Sequence, residues 1–266
     1  MTVQGEELCF ADPGEAADLA AFLARLIHYD RAAAVRLQAG GGVLAVFGRP
    51  PSFEVLAIRT ARLAADTVLD TTVSAGQLAD ALDAGARRRA DGGAAAAPDG
   101  PAGLAVAVPD AVTGPPWAGL LPPRGGWRRV PGLPGAAEVR GAVASAVAEF
   151  RARDAALPEE RRTRAERDRI GREIWSRTLG GTGLPLRAVH AAQSLGFLRP
   201  ARTAEPVAAA VAPGGPGGGA TATAPGPEQL ALLAAGGWLR LRTPYGSIAV
   251  RKTGLPGLSG LSVTPA

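Results

Sequence analysis

Residues 115–129, reading PPWAGLLPPRGGWRR, constrain the fold of this chain more than any other stretch. Four prolines remove backbone donors and three glycines add backbone freedom, so no regular helix or central strand runs through it. Yet Trp117, Leu120, Leu121 and Trp127 are too apolar for a solvated linker. Such a loop is either glued across a core or offered to a partner. In the first case Arg124, Arg128 and Arg129 snorkel outward from buried indoles. In the second they pair phosphates while Trp127 stacks on a base.

The charge map bears on that choice. The chain of 266 residues carries a net charge of +5, but it has no asparagine and one lysine, Lys252, against twenty-eight arginines. That bias is the signature of a GC-rich coding sequence, so the arginine total says little. The distribution says more. Residues 1–110 hold 9 basic and 14 acidic side chains, a net −5, whereas residues 111–266 hold 20 and 10, a net +10. Codon bias raises arginine everywhere and does not by itself separate the halves.

In the acidic half, residues 7–11 read as a strand, and Asp12-Pro13 as an N-cap with proline at the first helical position. Leu19, Phe22, Leu23, Leu26 and Ile27 then recur at helical spacing, predicting a helix of about four turns. The period changes to two in 33–39, 43–48 and 54–62, separated by Gly40-Gly41-Gly42 and by Arg49-Pro50-Pro51. Short turns imply an antiparallel meander, to which 67–73 adds a fourth strand. The triple glycine reads as a hairpin turn; a phosphate loop needs a following helix and a Lys-Ser/Thr pair. Ser74 with Gln77 opens a helix through about Leu82, after which Arg87-Arg88-Arg89 and 91–103 read as a polar loop and 104–108 as a last strand.

In the basic half, Val139, Ala142, Val143, Ala146, Val147 and Phe150 form a helical stripe that Pro158 ends. A second helix is expected from Glu159 to Thr178, with Ala165, Ile170, Ile174 and Trp175 as its apolar side. Its charges can pair locally, as Arg162–Glu166 and Arg169–Glu173. A third begins at Leu184-Pro185. Ala192, Leu195, Gly196 and Phe197 resemble the end of the first helix of a helix-turn-helix, but Pro200 and Pro206 occupy the place of a reading helix. Pro244-Tyr245-Gly246 between 237–243 and 247–253 marks a basic hairpin, and no acidic residue follows Glu228. Three helices and such a hairpin would suit a winged helix only if the reading helix were present.

The expected class is α+β: an N-terminal antiparallel sheet with two helices, then a basic helical region with a C-terminal β-hairpin. The divisions are 1–112, a connecting loop 113–135, helices 136–199, a Gly/Pro/Ala linker 200–228, and the hairpin and tail 229–266. The stretches DLAAFLARLIHYDRAAAVRLQ, WAGLLPPRGGW and LPLRAVHAAQSLGFL resemble a conserved family of uncharacterised actinobacterial proteins. That resemblance brings no activity and no site residues.

Chemistry is sparse. Cys9, the one cysteine, excludes an internal disulfide and a cysteine-rich metal site, and reads as inert packing. His28 and His190 have no second ligand at metal spacing, and no nucleophile elbow, zinc-protease or Walker motif occurs. No catalytic residue, metal or cofactor is therefore expected, and an enzyme built on His190 is the weakest class. The first residues are acidic where a signal peptide would be basic, and no 18-residue apolar run exists, so a cytoplasmic protein without a membrane partner is expected. The leading reading is a non-enzymatic nucleic-acid-associated or regulatory protein, with Arg124, Arg128, Arg129, Arg240, Arg242, Arg251 and Lys252 on phosphates and Trp127 stacking. The alternative is an interaction module that docks an acidic protein partner or self-associates.

Overall fold

A computed structural model of the chain describes residues 6–91, 103–199 and 230–252. The N-terminal half begins with β1 (Glu7–Phe10) and α1 (Pro13–Tyr29). Asp12 caps α1 by accepting from the Gly14 amide, and Leu19, Phe22, Leu23 and Leu26 form its buried stripe. The meander follows as β2 (Ala34–Gly40), β3 (Val43–Gly48) and β4 (Leu56–Arg62), all antiparallel. Gly41 and Gly42, at φ +60° and +71°, make the two-residue turn between β2 and β3, a conformation that favours glycine. Next come β5 (Leu69–Ser74), α2 (Ala75–Ala90) and β6 (Leu104–Ala107). The first and last strands of this half form a separate two-stranded sheet, which an antiparallel bridge from Phe10 to Leu63 ties to the end of β4.

The C-terminal half contributes β7 (Arg128–Val130), α3 (Ala136–Ala155), α4 (Arg164–Ser176), α5 (Leu186–Ser194), β8 (Ala231–Ala235), β9 (Trp238–Thr243) and β10 (Gly246–Arg251). Its meander joins the N-terminal one edge to edge. The result is an eight-stranded sheet in the order β5-β2-β3-β4-β10-β9-β8-β7. β4 and β10 meet at its centre, with Ser247 opposite Ile58 and Ala249 opposite Leu56. Each half thus supplies a helix followed by a three-stranded meander, and α1 lies over β4 as α5 lies over β10. One apolar core runs beneath both, from Phe10 and Phe22 through Leu37 and Val46 to Leu241 and Ile248.

The seam is tied from both sides. Phe22 of α1 stacks on Phe197 at 5.7 Å between ring centroids. Arg59, buried in β4, donates to the Tyr245 carbonyl and to Asp18, which also receives Arg199 at 2.9 Å. The Arg199 guanidinium lies 3.9 Å over the Tyr245 ring. Gly246, at φ +154°, lets Phe197 reach the start of β10; a Cβ there would come within 2.7 Å of the ring. Among the described residues no helix is long and apolar enough to cross a membrane.

Several expectations are corrected. The helix opened by Ser74 runs to Ala90, so Arg87, Arg88 and Arg89 form its last turn rather than a loop. Cations there face the negative end of the helix dipole, which favours continuing it. Residues 159–161 form a separate 3₁₀ turn, and α4 begins at Arg164 because Thr163 caps it by accepting from the Glu166 amide. Ala165 is exposed, while Ile170 and Ile174 carry the buried side of that helix. The C-terminal hairpin is no wing: it belongs to a three-stranded meander locked into the central sheet, because its apolar positions complete the core on α5. The proposed linker at 200–228 lies outside the described residues.

Candidate anion-binding face

The helices cover one face of the sheet. On the other, strand alternation places Phe47, Leu56, Ile58, Ala249 and Trp238, a second apolar cluster spanning β3 to β9. Trp117, Leu121 and Trp127 pack against it. The 115–129 loop is therefore a strap across the seam. A 3₁₀ turn at Pro116–Gly119 sets Trp117 down, and the Trp127 indole N–H donates to the Pro123 carbonyl at 2.9 Å. Both loop indoles stay half-buried, and Leu120 points to solvent at 57% exposure.

Beside the strap the same face becomes basic. Leu239 and Leu241 point to the helix-side core, so alternation turns Trp238, Arg240 and Arg242 to the open side. The register then aligns Arg129, Leu233, Arg240 and Ala249 across four strands, and places Arg251 opposite Trp238. Arg240 lies 5.7 Å over the Trp127 ring and Arg251 lies 5.2 Å over Trp238. Burial, and secondly the nearby charge of Arg242, hold the Arg240 guanidinium below its ordinary pKa. Its Nε is buried without a hydrogen-bond partner. A guanidinium stays protonated in a protein, so this site holds a cation whose desolvation no carboxylate among the described residues compensates.

Four expected arginines or their neighbours thus come together: Arg129, Arg240, Arg242 and Arg251, with Trp127 among them. Three do not. Arg124 stands exposed in the strap, Arg128 alternates to the opposite side of β7, and Lys252 follows the last residue of β10. None of these seven cations makes an ion pair among the described residues. Trp238 escaped the sequence reading, as did the strand β8 that aligns Arg129 with Arg240. The signal was there: Gly236-Gly237 separates ALLAA from WLRLRT, a two-residue turn between strand-like runs.

The arginines of α3 and α4 behave differently. Arg153 grips Glu173 with two bonds of 2.8 and 2.7 Å, and Arg177 grips Glu149 at 2.6 and 2.8 Å. Arg167 reaches Asp154 at 2.8 Å. Hydrogen bonding from Arg153 pulls Glu173 down to about 2, and Arg177 holds Glu149 below its usual range. The expected Arg169–Glu173 contact exists at 3.7 Å, but Glu166 pairs with Arg161 and Arg169, not Arg162. Arg162 instead donates to the Leu157 and Ala155 carbonyls where the chain turns.

His190 sits between aromatic rings, stacked 4.3 Å from Trp175 and edge-on to Phe53 at 5.2 Å. Burial lowers its pKa, which disfavours the protonated imidazole. It is a half-buried residue packed between two aromatic rings. Cys9 is half-buried between the fully buried Leu8 and Phe10. Among the described residues no three His, Cys, Asp or Glu side chains gather as metal ligands.

The molecule is thus an α+β protein whose single large sheet is covered by helices on one side, and by an aromatic strap beside an arginine field on the other. The chain belongs to the family of the domain of unknown function DUF8185, which matches residues 122–255, while a second such domain, DUF8010, matches residues 3–119. Neither description carries an activity, as the resemblance of the three stretches implied. The two matches divide within the strap, between Trp117 and Trp127, yet their strands share one sheet through β4 and β10. No curated protein and no solved structure matches the chain.

Proposed function

We propose that this is a non-enzymatic, cytoplasmic nucleic-acid-associated or regulatory protein that binds phosphates on the open face of β7 to β10. One observation carries the reading. Arg129, Arg240, Arg242 and Arg251 share that face with no carboxylate partner among the described residues, while most α3–α4 arginines are ion-paired. An anion over Arg240 would offset the desolvation of its guanidinium, and the half-buried Trp127 edge offers a base a surface to lie on. Arg124, at the tip of the strap, would extend the contact.

The test is a salt titration of binding to labelled single- and double-stranded DNA and RNA, with tryptophan fluorescence followed alongside anisotropy. Log affinity should fall linearly with log salt, with quenching of the indoles. Absence of binding at low salt would sink the proposal. A second reading has its own support: Asp80 and Asp83 are exposed on α2 with no ion pair among the described residues, so the acidic half of a second copy could meet the arginine field. Self-association that weakens with salt in sedimentation would favour it, and a salt-indifferent monomer would remove it.

A further inference from the structure

At the β5 edge, on the same open face, the structure forms a cleft of about 500 Å³. Its floor is Arg36, Asp70 and Thr72. Its wall is the segment that precedes the strap: Ala111 bridges to Val73, the Val112 amide donates to the Thr72 carbonyl, and Pro115 and Pro116 then rise over the sheet. A Cβ on Gly114 would sit 3.2 Å from Thr72 Oγ1, so the wall closes tightly at its base. The volume lies in the range of small-molecule sites.

The floor differs from the arginine field in kind. Arg36 Nε and Nη2 each lie 2.8 Å from Asp70 Oδ1, Arg36 Nη1 donates to Thr72 Oγ1 at 3.1 Å, and Gln38 Nε2 donates to Asp70 Oδ1 at 3.2 Å. All three groups on the carboxylate converge on one oxygen. No hydrogen bond reaches Oδ2 among the described residues, and three of the five guanidinium N–H groups make no hydrogen bond there. An anion entering here meets Asp70 and a cation meets Arg36. What fits is a neutral, flat group with an N–H beside an acceptor, held edge-on by the charge pair while the prolines flank its face.

We propose that this cleft is a binding site for one nucleobase edge: the base N–H donates to Asp70 Oδ2 and its acceptor receives an Arg36 N–H. Two sources supply that chemistry, a base of a strand whose phosphates lie on the arginine field, or a free nucleoside. Only the first rests on the proposed function. Strands β2 and β9 are four places apart, roughly 19 Å at sheet spacing, so one strand would have to cross the aromatic strap.

The experiment uses the full chain. The four ribonucleosides are titrated separately, following backbone amides of 70–72 and 111–119 and the Arg36 side chain by NMR. In parallel, single-stranded homopolymer oligonucleotides are titrated against wild type and Asp70→Asn, whose fold is checked by its melting curve. At least one nucleoside should shift those signals, and Asp70→Asn should weaken it about tenfold, the worth of one charged hydrogen bond. The same base should be preferred among the oligonucleotides if a strand is the source. A nucleoside that binds the cleft without a matching oligonucleotide preference supports the site with the free ligand as its source. If the oligonucleotides do not bind while a nucleoside does, the proposed function fails and the cleft stands. If no nucleoside moves those signals, the cleft proposal is overturned, whatever the oligonucleotides do.

Discussion

Most arginines on α3 and α4 meet carboxylates, whereas one on β9 and one on β10 meet indoles. The helical set includes Arg153, Arg167, Arg169 and Arg177, each within 4 Å of a Glu or Asp oxygen. The strand set includes Arg129, Arg240, Arg242 and Arg251, with two of them lying over Trp127 and Trp238. The helices can pair because acidic residues recur three or four positions away and across the α3–α4 contact. The strands cannot, because no acidic residue follows Glu228 and their cross-strand neighbours are Leu233, Ala249, Ser247 and Trp238. A charge count treats these arginines alike. Partner geometry separates a brace from an unanswered field.

The largest effect expected from breaking this contrast is on binding. Combining Arg129→Glu, Arg242→Glu and Arg251→Glu should lower oligonucleotide affinity by at least about a hundredfold, and should shrink the log–log salt slope by about 2, at roughly 0.7 per single-strand phosphate contact. The melting temperature should change little, since no ion pair among the described residues is lost and the one ring contact removed, Arg251 over Trp238, is exposed. Unchanged affinity in the triple variant would erase the functional distinction between the two regions.

Removing the brace should do the reverse. Glu149→Gln with Glu173→Gln should lower the melting temperature by about 3–6 °C, as expected for a small exposed network. Affinity should not fall. A rise would mean that the freed Arg153 and Arg177 become a second phosphate surface, which would show that pairing alone kept them silent.

The pH dependence follows from the same carboxylates. Glu173 and Glu149 titrate lower in the folded chain than when unfolded, so they contribute stability above the unfolded-state value near pH 4.3. That contribution is lost as pH falls from there toward 2. Melting curves between pH 5 and 2 should show the loss, and the double glutamine variant should show a flatter profile.

The smallest effect belongs to His190. Its folded pKa is lowered, so the unfolded chain binds more protons near the ordinary histidine value and stability falls as pH drops through about 6.5. A shift of about 1–2 °C between pH 7.5 and 5.5 is expected from this group, and His190→Leu should remove it. A shift that survives in the variant would assign it elsewhere.

Much of the fold was legible where the determining contacts are local. Asp12-Pro13 marked the start of α1, the spacing of Leu19, Phe22, Leu23 and Leu26 marked its buried face, and Gly41-Gly42 marked a hairpin. The helix starting after Ser74 was placed correctly at its cap but cut short, because Arg87 to Arg89 read as polar chain when taken without the dipole they face. β7 escaped because it is three residues long inside a proline- and glycine-rich loop, and only pairing with β8 makes it a strand. Of the candidate site, the residue types were legible and their grouping was not. Arg128 and Arg129 are adjacent in sequence, yet a strand sends them to opposite faces.

The sequence by itself determined the α+β class, the caps, the turns and the apolar stripes, since each is set by side chains within one or two turns of chain. It also determined that arginines near the C-terminus would lack acidic neighbours along the chain. Only the tertiary structure decided that β4 and β10 join the halves into one sheet, that the aromatic strap lies across that seam, and which arginines share its open face. Those outcomes depend on strand register and long-range pairing, where a shift of one residue turns every side chain to the other side.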